Sequence, residues 1–293
     1  MTVKELLKFA AEELQDLDTP ILDARLLLMY ATDLETIELL ISPEREVGAS
    51  QIEVFLNLVE RRKDRCPLAY LIGEKEFYGR SFSVGPGVLI PRADTEILVE
   101  EVLRRLKVDE NLCGIEVGAG SGAVSISLLC ERERLRMTAT DIEQVPVRVS
   151  MENAKRYGVT DRFKIKHSSL FDEVEKGEYD FIVSNPPYID EAEMEDLMED
   201  VVRYEPHSAL FGGPDGLDFY REIVDRGRSY LKEGGFFAFE IGYTQADQVG
   251  EICRKRGYLQ IEVINDLAGK NRVVIASKTA WNSKETRNKK SEE

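Results

Sequence analysis

Over the first seventy residues the apolar positions recur at intervals of three and four. Val3, Leu6, Leu7, Ala10 and Leu14 share one face of a helix. Thr19-Pro20 reads as an N-cap followed by proline at the first helical position, which opens a helix through Tyr30. Ser50 is placed to cap another, with Ile52, Phe55 and Val59 inward and Glu60-Arg61-Arg62-Lys63 outward. Beyond residue 76 the period changes. Phe77 to Val84 reads as a short hairpin with Gly79-Arg80 near its turn, and Pro86, Gly87 and Pro91 punctuate what reads as a linker. From about residue 95 short apolar runs alternate with helical patterns. The runs fall at 113–117, 137–140, 163–166, 180–184, 236–240, 261–264 and 273–277, and the helical patterns at 94–106, 122–132, 145–157, 218–231 and 245–256. That alternation predicts a parallel sheet covered on both faces. Only residues 265–272 join the last two runs, too few for a parallel crossover, so the seventh strand is expected to be antiparallel. The reading divides the chain into a helical domain over 1–75, a hairpin and linker over 76–94, an α/β domain over 95–280 and a polar, charged tail over 281–293.

Charge changes the picture for the helical domain. The sequence holds 39 Lys and Arg against 55 Asp and Glu, a net charge of −16. A three-helix DNA-binding module is one reading of the first segment. Residues 1–75, however, hold 9 Lys and Arg against 15 Asp and Glu, and phosphate backbones demand the opposite sign. The segment is therefore read as a packing or substrate-docking module. An acidic surface favours a basic protein partner or a small molecule over nucleic acid. The cysteines Cys66, Cys113, Cys130 and Cys253 form no C-x-x-C pair, and His167 and His207 are the only histidines, so no metal is expected. Scattered free thiols fit a reducing cytoplasm. Acidic residues interrupt the apolar positions of the N-terminus, unlike a signal peptide, and no run approaches the length of a membrane span.

Candidate chemistry begins at Ile115-Glu116-Val117-Gly118-Ala119-Gly120-Ser121-Gly122-Ala123, which follows a strand and opens a helix. Glycines there allow a tight turn and let a ligand approach the backbone. Asp141 ends the next strand, placed to accept both hydroxyls of a ribose. Two cofactors fit: a dinucleotide with its pyrophosphate on the helix N-terminus, or S-adenosylmethionine with its methionyl part there. Glycine spacing alone does not decide between them. Glu116 favours the second, because an acid suits a positive methionyl ammonium and opposes a pyrophosphate.

A second site follows a buried strand at Ser184-Asn185-Pro186-Pro187-Tyr188. Two prolines fix φ and remove two donors, leaving rigid carbonyl acceptors. Asn185 adds a side-chain carbonyl. Together they can accept both hydrogens of one planar NH₂ group, and the Tyr188 ring can stack on a planar substrate. An amide or aryl amine nitrogen is a weak nucleophile. Paired acceptors hold it in place and stabilise the positive charge that grows as a methyl group arrives.

With these residues in hand, the chain resembles the protein-(glutamine-N5) methyltransferases of peptide-chain release factors, the HemK/PrmC family. The resemblance runs through roughly residues 5–278. It rests on Val88-Leu89-Ile90-Pro91-Arg92-Ala93-Asp94-Thr95-Glu96, the glycine loop, Ser184-Asn185-Pro186-Pro187-Tyr188-Ile189, Glu205-Pro206, Gly212-Gly213-Pro214-Asp215-Gly216-Leu217, Glu240-Ile241-Gly242 and Gly269-Lys270-Asn271-Arg272. It implies a seven-stranded Rossmann-like class I methyltransferase sheet beside a small N-terminal helical domain. It further implies methyl transfer from S-adenosylmethionine, leaving S-adenosylhomocysteine, to the glutamine of the Gly-Gly-Gln motif of class I release factors. By the same resemblance Gly118, Ala119, Gly120, Ser121 and Gly122 would hold the methionyl end, Asp141 the ribose and Leu170 the adenine. Asn185 would touch cofactor and substrate, Pro186 would offer its carbonyl to the same NH₂ beside Pro187, and Tyr188 would pack on the glutamine. The helices would dock the release factor, and the enzyme would act as a monomer without nucleic acid or membrane. Two positions depart from the pattern: Ala93 stands where the family usually has a second proline, and Ser168-Ser169 where many relatives have Ser-Asp.

Three rival readings share some of these features. A nucleic-acid adenine N6-methyltransferase uses the same Asn-Pro-Pro-Tyr logic on a flipped base, but the acidic charge opposes it, and Lys284 to Lys290 form the one basic stretch. A nicotinamide-dependent oxidoreductase leaves Asn-Pro-Pro-Tyr unexplained. A silent cofactor-binding protein leaves the intact acceptor loop without a use.

Overall fold

A computed structural model describes residues 1–278. The expected tail over 281–293 lies outside the described residues. The helical periodicity of the first segment produces α1 (Val3–Glu13), α2 (Pro20–Thr32), α3 (Thr36–Ile41), α4 (Ala49–Lys63) and α5 (Leu68–Ile72). A capping box starts α1: Thr2 Oγ1 accepts from the Glu5 N–H and the Glu5 carboxylate accepts from the Thr2 N–H. Val3, Leu6, Ala10 and Leu14 are buried as their spacing requires. Thr19 precedes α2, but its hydroxyl donates to Asp23 at 2.8 Å rather than capping the backbone. The cap of α4 is Gly48, not Ser50, which falls inside the first turn. Extended backbone at Gly48 lets the Gln51 side chain accept from its N–H at 3.3 Å. Phe55, Leu58 and Val59 are buried and Ile52 is half-buried.

These residues, Met1–Glu74, form one compact unit, and a later segment, Met198–Tyr204, clusters with them. The Arg203 guanidinium grips the Asp64 carboxylate through two bonds of 2.8 Å, and the Tyr204 hydroxyl donates to the Asp64 carbonyl at 2.7 Å. A pairing across 139 positions of sequence has no local signature.

The second unit runs from Lys75 to Leu197 and resumes at Glu205. It opens on a hairpin, β1 (Glu74–Phe77) and β2 (Arg80–Ser83), turned at Tyr78-Gly79, both at positive φ. Phe77 and Phe82 are buried in this unit's core, so the hairpin read from sequence as part of a linker is packed structure. There follow α6 (Thr95–Arg105), β3 (Leu112–Val117), α7 (Ala123–Glu131), β4 (Leu135–Asp141), α8 (Gln144–Arg156), β5 (Phe163–His167) and β6 (Tyr179–Ser184). Next come α9 (Glu191–Glu195), α10 (Glu199–Tyr204, the helix of the segment described above), α11 (Asp218–Gly227), β7 (Leu231–Glu240), α12 (Ala246–Lys255), β8 (Gln260–Asn265) and β9 (Asn271–Ser277). Helix α11 stops four residues short of the expected 231. Gly227 abuts Ile182, Phe237 and Phe171, and the Tyr230 N–H turns back to the Gly227 carbonyl at 2.9 Å.

Seven strands form one sheet in the order β5-β4-β3-β6-β7-β9-β8. β9 is antiparallel to both β7 and β8, and the remaining pairs are parallel. Strand alternation sorts the core onto two faces. Phe181 and Val183 join the cluster under α6 and α7, while Ile182 joins that under α11 and α12. All four cysteines are free. Among the described residues no helix is long and apolar enough to cross a membrane, and no group of three or more His, Cys, Asp or Glu could hold a metal.

Candidate active site

The order of strands reverses at β3, with β4 on one side and β6 on the other. Ligand clefts form at the carboxyl ends of strands at such a point. Register decides what emerges there. Val117 pairs with Thr140 on one side and Ser184 on the other, so Gly118, Asp141 and Asn185 leave three adjacent strands at one level. A cavity of about 500 Å³ opens at that level. Gly118, Gly120, Asp141, Leu170, Asn185, Pro186 and Pro187 line it, as do Ile142, Glu143, His207, Phe219 and Glu222. Of the residues expected from sequence, Glu116, Ala119, Ser121, Gly122 and Tyr188 do not line it.

Gly118 and Gly120 adopt φ of 76° and 56°, a region that penalises a Cβ, and open space lies where each Cβ would stand. The loop spends its amides internally. Gly118 and Ala119 both donate to the Thr140 carbonyl, at 2.9 and 3.0 Å, and Gly120 donates to Asp141 Oδ2 at 2.9 Å. Helix α8 holds the loop from behind: Ser150 Oγ donates to the Gly120 carbonyl and Asn153 Nδ2 to the Ser121 carbonyl, each at 2.9 Å. The buried Glu116 carboxylate accepts from the Ser125 N–H at 3.0 Å and from the Ser125 hydroxyl. It therefore caps the first turn of α7, where a pyrophosphate would dock in a dinucleotide-binding turn. The cap takes one of the amides that a dinucleotide's pyrophosphate would use. Burial pushes the Glu116 carboxyl up to about 8 against the Ser125 bonds, and Asp141 adds to the rise.

Asp141 accepts through both oxygens, from Gly120 and from the Glu143 N–H at 3.0 Å, which leaves lone pairs for a ligand hydroxyl. Burial raises its carboxyl above the usual range. Leu170 has φ of 49°, a left-handed conformation that costs a side-chain-bearing residue energy. The strain sits in the cavity wall. Beside it the Ser168 hydroxyl accepts from the Glu173 N–H at 3.0 Å, closing its own loop.

At the end of β6 the Ser184 hydroxyl donates to the Val117 carbonyl at 2.7 Å, and Asn185 Nδ2 donates to Thr95 Oγ1 at 3.3 Å. The Tyr188 carbonyl accepts from Gln245 Nε2 at 2.9 Å; its ring packs against the second core cluster, and burial pushes its hydroxyl up to about 12. Segments far apart in sequence converge around this loop. Glu205 accepts from the Ile90 N–H at 3.1 Å and from the Arg92 guanidinium, which ties residues 88–92 to 205. Arg272 bridges Asp94 and Asp266, each at 3.1 Å. Gly212 and Gly216 lie against the backbone of Pro187 and Tyr188.

Known proteins match most of the chain. The family model described as the PrmC N-terminal domain matches residues 5–73, and that of the methyltransferase small domain matches residues 93–210. A release factor glutamine methyltransferase from Aquifex aeolicus is 40% identical over 276 residues, covering 94% of this chain and 95% of its own. The chain belongs to the release factor glutamine methyltransferase family. A bifunctional methyltransferase from Rickettsia typhi is 38% identical over 94% of this chain, but the chain spans only 57% of that relative's length. A solved methyltransferase from Pyrococcus furiosus shares the fold, with a TM-score of 0.53 at 16% identity over 77% of this chain and 98% of its own.

Most of the residues that sequence reading missed are placed by long-range pairing. Thr95 lies within the Pro-Arg-Ala-Asp-Thr-Glu segment, so a signal was present, but its bond to Asn185 spans 90 positions. Ile142 and Glu143 were reachable, since they follow Asp141 directly into the cavity. His207, Phe219 and Glu222 have no local pattern to mark them.

Proposed function

We propose that this enzyme transfers a methyl group from S-adenosylmethionine to the side-chain amide nitrogen of the glutamine in the Gly-Gly-Gln motif of class I release factors. The observation that supports the reading is that Asn185, Pro186 and Pro187 line the same cavity as Asp141 and Gly118, with Asn185 Nδ2 donating to Thr95 Oγ1. The cofactor, when bound, supplies a methyl group on a positively charged sulfur that departs as a neutral thioether. The cavity suits such a ligand in size and in sign, since Asp141, Glu143, Asp218 and Glu222 line it. Asp141 accepts the ribose hydroxyls, Ile142 and Leu170 flank the base, and residues 118–122 bring the backbone close to the methionyl part, with Glu116 holding the first turn of α7 beneath.

Asn185 Oδ1 and the Pro186 carbonyl accept the two hydrogens of the glutamine NH₂. They aim its nitrogen at the methyl carbon and stabilise the positive charge that grows there. As the N–C bond forms and the S–C bond breaks, one of those two hydrogens leaves as a proton. Tyr188, directly after the second proline, walls the glutamine side chain. The helical unit docks the rest of the factor, and the protein works as a cytoplasmic monomer, without nucleic acid.

The test is methyl transfer from labelled S-adenosylmethionine, with release factor and duplex DNA as parallel acceptors and with the Gly-Gly-Gln glutamine intact or changed to alanine. Label on the intact factor alone is expected. Label on DNA, or equally on the alanine variant, overturns the substrate.

A further inference from the structure

The acceptor loop after β6 is stiffened by Pro186 and Pro187 and tied at both ends. At the near end the Ser184 hydroxyl donates to the Val117 carbonyl at 2.7 Å. At the far end stands Gln245, the residue before α12, which is 6% exposed and lies outside the cavity lining. Gln245 Nε2 donates to the Tyr188 carbonyl at 2.9 Å and to the Gly216 carbonyl at 3.3 Å, and Oε1 accepts from the Gly242 N–H at 3.0 Å. All three partners are backbone groups of fixed polarity. A glutamine amide, with two hydrogens on one end and lone pairs on the other, satisfies them in one orientation. The same amide joins the loop after β6, the glycine turn before α11 and the turn after β7. The fit around it is close. A Cβ at Gly216 would lie 2.3 Å from the Tyr188 carbonyl oxygen and 2.7 Å from Gln245 Nε2. One at Gly242 would lie 2.9 Å from Gln245 Oε1 and 3.4 Å from Tyr188 Cδ2, so the Tyr188 carbonyl and ring both rest on this clamp.

We propose that Gln245 is a positioning residue for methyl transfer, whose amide fixes the Asn-Pro-Pro-Tyr loop where its acceptors meet the substrate amide. The inference rests on the acceptor roles proposed for Asn185 and Pro186. The frame behind the clamp is firm. Helix α12 buries Ala246, Val249, Gly250 and Cys253. The Gln245 N–H donates to the Gly242 carbonyl and the Val249 N–H to the Gln245 carbonyl, each at 2.9 Å. One residue past Tyr188, the Ile189 N–H donates to the Leu210 carbonyl at 3.1 Å and the Gly212 N–H to the Ile189 carbonyl at 2.9 Å. Residues 185–187 are therefore strung between fixed points. Removing the Gln245 amide leaves the Tyr188 and Gly216 carbonyls without that donor and frees the Tyr188 peptide to shift. A displacement of about 1 Å in a positioning group is enough to cost about a hundredfold in rate. Because Gln245 stands outside the cavity lining, its loss acts on the rate through the loop and not on cofactor affinity.

The test compares Gln245→Met, Gln245→Glu, Val249→Ala and Asn185→Ala in methyl transfer to release factor, with cofactor Kd and Tm measured alongside. Gln245→Met keeps the length of the side chain and removes its hydrogen bonds. Gln245→Glu keeps the acceptor for Gly242 but, ionised or protonated, does not serve both carbonyls. Both are expected to lower kcat about tenfold or more, while cofactor Kd and the KM for release factor stay within about threefold. Val249→Ala removes packing from the same helix and leaves the amide in place. It is expected to lower Tm with kcat near that of the wild type, which separates positioning from lost stability. A wild-type kcat in Gln245→Met beside an inactive Asn185→Ala overturns the positioning role and leaves the proposed function standing. A fully active Asn185→Ala overturns both. An equal loss of kcat in Val249→Ala, or a cofactor Kd that rises in step with the fall in kcat, also overturns the positioning role. If Gln245→Met does not fold, Gln245→Glu decides, and a wild-type kcat there overturns the clamp.

Discussion

Asn185 and Asp141 leave the two strands that flank β3 at one level, yet they are expected to fail in different ways. If Asn185 is the acceptor proposed for the reacting nitrogen, Asn185→Ala should lower kcat by about two to three orders of magnitude with the protein still folded; near-normal turnover would contradict the acceptor role. If Asp141 holds the ribose as proposed, Asp141→Ala should raise cofactor Kd about tenfold or more and change the saturated rate less; an unchanged Kd would exclude that role. Glu116 shows what sequence conveyed and what it did not. Its acidity was legible, and so was its conflict with a pyrophosphate. That it spends its carboxylate on Ser125 depends on where α7 begins in three dimensions. Its burial has a measurable consequence. The folded pKa values of Glu116 and Glu240, about 8 and about 7, lie above the ordinary carboxylate value of 4.5. The native state then binds more protons between those limits. The stabilising contribution is complete below about pH 4.5 and is lost as pH rises through 7 to 8, at up to about 1.4 kcal/mol per pH unit for each group. Urea midpoints from pH 5 to 8.5 should show a shallower decline in Glu116→Gln than in the wild type.

The strands of the sheet were legible because each is a short apolar run between turn residues, and the antiparallel β9 because its connection is too short to cross over. The elements that escaped the reading obey contacts outside their own segment. The hairpin β1–β2 was legible as a hairpin, but its place in the core was not: its few residues carry little apolar pattern, yet Phe77 and Phe82 are buried. Helix α4 starts at Gly48 rather than Ser50 because Gln51 completes the cap, a choice that composition does not dictate. Between α7 and α8 the glycine loop depends on close approach. Gly122 has φ of 79°, and a Cβ there would lie 2.8 Å from Ile126 Cδ1 and 3.2 Å from the Ser150 side chain. Gly122→Ala should therefore destabilise by about 1–3 kcal/mol through backbone strain and displacement of α8. Chemical denaturation reads this directly, and a midpoint within error of the wild type would mean that the loop relaxes without cost.

The chain divides into two compact units. Every residue lining the cavity belongs to the second unit, whereas the first holds no part of it. If the first unit docks the release factor, damage to its surface should act on the affinity for that factor and spare the chemistry. Helix α3 offers a surface on which to test this. Ile37, Leu40 and Ile41 recur at helical spacing and are 62%, 60% and 70% exposed, an apolar face with Leu39 alone of the helix turned fully inward. Exposed side chains of this kind add little to stability, so serine at all three positions should leave the fold intact. A protein partner that covers them would lose several apolar contacts. The expectation is a raised KM for whole release factor, with cofactor Kd and methylation of a short Gly-Gly-Gln peptide unchanged. The peptide serves as the internal control, because a substrate that short is expected to reach the Asn185 loop without the helices. An unchanged KM for the whole factor would remove α3 from the docking surface, and a loss of activity on the peptide as well would mean that the substitution had disturbed the catalytic unit.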